Sequence, residues 1–229
     1  MKILIDNGHG VDTKGKRSPD GRLLEYKWSR EIAKMICDRL KRLGYDAVRI
    51  TPEEEDLNLP ERVKRVNRYC SKLGAGNVVL VSIHTDAAGS DGKWYGARGF
   101  SSRVFTTCYQ KSKDLSRILW EEAIEHGLQG NRSIPTDKYV PQNLYLLKWS
   151  KCVAVLTESG FHDNKEDVEL LLSDTGKEKV VDTHVKALIK YIKKYEKQNT
   201  ELYCPCSGDG SITAGGGLCE IKERQCESS

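Results

Sequence analysis

The run Asn77-Val78-Val79-Leu80-Val81-Ser82-Ile83 constrains this chain more than any other stretch. Six residues from Val78 to Ile83 carry an apolar side chain at every position but one, so a strand here is buried on both faces. A strand of that kind belongs inside a sheet covered by helices on either side. The flanking pattern agrees. Short apolar segments at Lys2–Asp6, Tyr45–Thr51, Arg98–Phe105, Leu144–Leu147 and Cys152–Thr157 read as five further strands. They alternate with helical periodicity at Glu25–Leu43, after Pro60, at Lys111–His126, at Lys165–Leu172 and at Glu178–Tyr195. The expected fold class is therefore α/β, with a twisted, mostly parallel six-stranded sheet flanked by helices.

In sheets of this class functional groups gather at the carboxyl ends of the strands, where loops converge over helix N-termini. Three expected strands end in chemistry-bearing residues: Ile3–Asp6 runs into His9, Val78–Ile83 into His84, and Val153–Thr157 into Glu158. Gly8 and Gly10 bracket His9, allowing a sharp turn and close backbone approach. Glu25 opens the first long helix, which carries the chain back beside the strand that delivered His9. Two imidazoles and a carboxylate form a common ligand set for catalytic zinc, with an open position for water. A carboxylate outside that set then serves as general base. Glu158 fits that role, although position alone does not separate it from Glu25. Trp94 and Tyr95 in a Gly-rich loop, with Arg132 and Asn143, are the candidate substrate contacts; Trp120 reads as core, and His126, His162 and His184 as structural.

The 229 residues carry a net charge of +4, unevenly spread. Residues 199–229 hold a balance of −3 and the first 198 one of +7. The basic excess reads as a solvated helix surface such as Lys186 to Lys197, with no nucleic-acid partner expected. No apolar stretch is long enough to span a bilayer and no signal peptide is visible at the start, so synthesis in the cytoplasm and no integral membrane association are expected. After residue 198 the composition shifts to a Cys/Gly-rich tail, 199–229, with Cys204, Cys206, Cys219 and Cys226. A second zinc, disulfides after export and disorder stand as equal readings of it. Cys37, Cys70, Cys108 and Cys152 read as small buried hydrophobes.

The ordered motifs "ILIDNGHG", Glu25 ahead of the first helix, "LNLPERVKRVN", "VSIHTDA", "NLYLL" and "VAVLTESGFHDNKEDVELL" together resemble the zinc-dependent N-acetylmuramoyl-L-alanine amidases of the Amidase_3 type, over about residues 2–195. The resemblance implies a catalytic domain at 1–198, zinc held by His9, Glu25 and His84, and Glu158 as the catalytic glutamate. It implies hydrolysis of the amide joining N-acetylmuramic acid to L-alanine in peptidoglycan; the start without a visible signal adds the expectation of a phage-type endolysin that acts in the cell wall or periplasm after release. Asn7 stands where the family usually has proline, and Thr51-Pro52 where it commonly has Thr-Arg. Two other readings accompany this one: a zinc peptidase or carboxypeptidase acting on another amide, and a non-catalytic cell-wall binder on the same scaffold.

Overall fold

The computed structural model describes residues 1–134 and 136–201. The chain runs β1 (Lys2–Asn7), α1 (Glu25–Arg42), β2 (Ala47–Arg49), α2 (Leu59–Leu73), β3 (Val78–Asp86), β4 (Ser101–Val104), α3 (Gln110–Glu125), β5 (Val140–Pro141), α4 (Tyr145–Trp149), β6 (Val153–Phe161), α5 (Lys165–Leu172) and α6 (Asp174–Glu201). Six strands form one sheet in the order β2-β1-β3-β6-β4-β5. The first four are mutually parallel, β4 runs antiparallel to β6, and β5 is parallel to β4.

Strand alternation divides the core into two layers. Ile3, Ile5, Val79, Val81, Ile83 and Val155 point to one face, where they pack on α1, α3, α5 and α6. Leu4, Val78, Leu80, Ala154 and Leu156 point to the other, under α2 and α4. That second layer is thinner, which leaves space over the carboxyl ends of β3 and β6. Helix starts follow local chemistry: the Asn58 side chain caps α2 by accepting the Glu61 N–H, and Asn164 caps α5 by accepting from Glu166 and Asp167.

One element departs from the expectation. Leu144–Leu147 is not a strand; Tyr145–Trp149 forms the short helix α4, with Leu146 and Leu147 buried and Tyr145 and Trp149 exposed. A four-residue apolar run fits either period, and burial of two adjacent leucines against α2 favours the helix. The sixth strand is instead Val140–Pro141, which sequence patterning hides because proline tolerates only an edge position. Among the described residues no helix is long and apolar enough to cross a membrane. Cys37, Cys70 and Cys152 are buried and Cys108 is partly so. The cysteines of the tail, and with them the three readings of that segment, a second zinc among them, lie outside the described residues.

Candidate active site

His9 follows β1 in an αL conformation, with φ 59°, unusual for a residue with a side chain. Of the two uses expected for the flanking glycines, close approach is the one that applies, since neither Gly8 nor Gly10 takes a positive φ. Both are required for space. A Cβ at Gly8 would lie 2.4 Å from the His84 ring, and one at Gly10 would lie 2.0 Å from the backbone nitrogen of Asp56. The turn therefore brings the His9 and His84 rings edge to face, with centroids 5.2 Å apart.

Glu25, fully buried in the first turn of α1, completes the group. One nitrogen of each histidine and one Glu25 oxygen all lie within 4.8 Å of one another. His84 Nδ1 is 3.1 Å from Glu25 Oε1, which also accepts the Thr85 N–H at 3.0 Å. His9 Nε2 is 3.4 Å from Glu25 Oε2, a buried oxygen with no hydrogen-bond donor among the described residues. Although burial opposes its charge, the His84 hydrogen bond and the charges of both histidines hold the Glu25 carboxyl down at about 2. Burial depresses His9 to about 4. His84 is raised: burial works against its charge, and the Glu25 carboxylate outweighs burial.

A buried network fixes the His84 ring from behind. Arg62 on α2 and Thr51 donate to Asp6 Oδ1, and Ser82 Oγ donates its single proton to Asp6 Oδ2 at 2.5 Å. Ser82 is then left to accept the Nε2–H of His84 at 3.1 Å. Nδ1 is then the ring nitrogen turned to the Glu25 carboxylate, where a proton or a metal ion sits between the two. Together with the orphaned Glu25 Oε2 and the imidazole of His9, this donor set fits a divalent ion such as zinc.

Glu158 lies directly across from His84 in the β3–β6 register, and Ser101 lies across from Glu158 on the other side. Its Oε1 accepts from Arg103 Nε at 3.2 Å, while Oε2 is buried without a hydrogen-bond partner among the described residues. Burial pushes the carboxyl up to about 8; the charges of His84 and Arg103 pull against that, and those of Asp86 and Glu25 reinforce it. A group titrating there is suited to exchange protons near neutrality. Beside the cluster opens a cleft of about 450 Å³ whose walls include His9, His84, Leu57, Leu59, Tyr145 and Leu156.

All four residues expected to do chemistry thus meet at one place. The expected substrate contacts do not gather there. Tyr95 packs over Gly89, donates to Asp91 at 2.9 Å, and does not line the cleft. Trp94 packs against the main core with the Lys165 ammonium 5.8 Å from its ring centroid. Both serve as anchors of their loop. Arg132 is exposed in a turn outside the cleft lining; Asn143 is exposed between Gln142, which contacts Arg103, and Leu144, which lines the cleft. Missed in the sequence were Asp6, Ser82, Arg62 and Arg103, whose roles depend on pairing between strands, and His162. The last is buried, with Nδ1 3.0 Å from Thr85 Oγ1 and 3.8 Å from Glu25 Oε2.

The sheet order and the His-Glu-His cluster at its carboxyl edge define an α/β protein with a hydrolase-like site in an open cleft. Residues 3–190 match the Amidase_3 family, N-acetylmuramoyl-L-alanine amidase, and the chain belongs to it. Ami1, the N-acetylmuramyl-L-alanine amidase of Mycobacterium smegmatis, superimposes with a TM-score of 0.72 at 18% identity, over 85% of this chain and 97% of that one. The N-acetylmuramoyl-L-alanine amidase of Clostridium difficile 630 gives 0.71 at 22% identity, over 84% and 96%. In sequence, the uncharacterized protein YqiI of Bacillus subtilis (strain 168) is 24% identical over 191 residues, 82% of this chain and 84% of that protein.

Proposed function

We propose that the protein is a zinc-dependent peptidoglycan amidase, with the metal held by His9, Glu25 and His84 and with Glu158 as general acid and base. The observation that carries this reading is the position of Glu158: adjacent to the three-residue cluster by strand register, bound to none of it, and with one buried oxygen free. When bound, a zinc ion supplies Lewis acidity, bringing the pKa of a coordinated water to around neutrality and polarising a carbonyl.

The chain's own residues do the rest. Asp6, through Ser82, holds His84 in the tautomer that presents Nδ1. Glu158 Oε2 takes the proton of the attacking water and later hands it to the departing amine, so that the amide C–N bond breaks with a neutral leaving group. The bond cut joins the lactyl carbonyl of N-acetylmuramic acid to the amino group of L-alanine, and the place of action is the cell wall. No serine or cysteine nucleophile is required.

The reading is tested by digesting purified peptidoglycan and identifying the new ends. New L-alanine amino termini with matching muramic lactyl carboxyls support it. Cleavage confined to bonds within the stem peptide would make the protein a peptidase, and binding without any new termini would make it a wall-binding module.

A further inference from the structure

Arg103 stands at the centre of a charge cluster of which the hydrolytic reading uses only Glu158. In the antiparallel β4–β6 pairing it faces Leu156, with Ser101 facing Glu158. Arg103 is thus a diagonal neighbour of Glu158 on the same face of the sheet, a spacing that long side chains bridge. Its Nε reaches Glu158 Oε1 at 3.2 Å, its Nη1 reaches Gln142 Oε1 at 2.8 Å, and its Nη2 pairs closely with Asp86 Oδ2. Gln142 is itself tied to the strand, its N–H bonding Val104 O at 2.8 Å. The guanidinium is therefore gripped on three sides and only partly exposed.

We infer that Arg103 is a positioning residue for the catalytic carboxylate: it occupies Oε1 of Glu158 and so leaves Oε2 as the single oxygen available for proton transfer. The inference rests on the role proposed above for Glu158. The rigid planar fork is what makes the hold directional; a lysine supplies the charge without the fork. Ser101, the residue directly opposite Glu158, contributes too little bulk to do this, and its buried hydroxyl has no hydrogen-bond partner among the described residues. Because Arg103 is engaged by three protein acceptors, it acts on the reaction through Glu158 instead of through the substrate.

The test uses the zinc-loaded full chain with Arg103→Met, Arg103→Lys and Glu158→Gln, measuring kcat, KM, zinc content and melting temperature. Arg103→Met should lower kcat by about tenfold or more, yet less than the roughly 10²–10⁴-fold expected for losing the base itself. KM should stay within twofold and zinc content should not change. Arg103→Lys should recover part of kcat. Should removal of the Asp86 partner prevent folding, Arg103→Met with Asp86→Asn relieves the unpaired carboxylate and is read in the same way. A wild-type kcat in Arg103→Met, or a raised KM with kcat unchanged, overturns the inference while leaving Glu158 in place. A wild-type rate in Glu158→Gln is the distinct result that removes the underlying role of Glu158.

Discussion

His84 and Glu158 are register partners on adjacent parallel strands, β3 and β6, so the sheet itself sets an imidazole of the cluster beside a carboxylate outside it. On the proposed reading, metal binding and proton transfer are then separable by mutation. Glu158→Gln keeps the shape of the side chain and removes its basicity. It should retain zinc at wild-type stoichiometry while turnover falls by roughly 10²–10⁴-fold. Metal analysis alongside product assays checks both halves.

Glu25→Gln should behave in the opposite sense. The substitution removes the buried negative charge to which both histidines are directed. Zinc affinity should fall by more than about a hundredfold, beyond the 10–100-fold typical of losing an outer partner of a metal ligand. Competition with a chromophoric chelator measures this without reference to activity.

The glycines flanking His9 are testable as spacers. Gly8→Ala puts a methyl group into the His84 ring, so it should weaken zinc binding as well as the fold; Gly10→Ala meets the backbone at Asp56, which cannot turn away. Each should cost about 1–3 kcal/mol of stability, the usual range for overpacking. Urea titrations of the metal-free variants give that cost, and only Gly8→Ala should add a specific loss of metal affinity.

Acid sensitivity has an identifiable source away from the cluster. His184, buried in α6, donates from Nδ1 to Val180 O at 2.7 Å and accepts at Nε2 from Thr157 Oγ1 at 2.8 Å. Burial lowers it from 6.5 to about 4. Between those values the unfolded chain binds a proton that the folded chain refuses. The contribution of this group is thus full above pH 6.5 and declines as pH falls, levelling off near pH 4 after a loss of about 3 kcal/mol; His9, lowered by burial to about 4 as well, adds to the decline, and Glu158, raised by burial to about 8, opposes it. Denaturant midpoints of the wild type and of His184→Gln across that range should differ by that contribution, the variant losing less stability between pH 6.5 and 4 from a lower starting value.

Much of this arrangement is legible in sequence because burial and strand length are local properties. The run at Val78–Ile83, the amphipathic stripe of α1 and the histidines at strand ends all declare themselves within a few residues. What sequence hides is the pairing of strands. Arg103 becomes a neighbour of Glu158 only through antiparallel register, and Ser82 becomes the link between Asp6 and His84 only because β1 and β3 are adjacent. The helix at Tyr145–Trp149 was masked by an apolar run too short to show a period, and β5 by its proline. Trp94 and Tyr95 attract attention as loop aromatics, but their bulk is spent holding that loop against the core and over Gly89.

Anomalous diffraction at the zinc absorption edge, from crystals of the protein loaded with one equivalent of zinc, tests the convergence of His9, Glu25 and His84 on one ion most directly. The account predicts a single strong peak in the catalytic cleft, roughly 2.0–2.2 Å from His9 Nε2, His84 Nδ1 and a Glu25 oxygen, with Glu158 outside the coordination shell. A cleft without that peak, while zinc occupies another part of the chain, would contradict it.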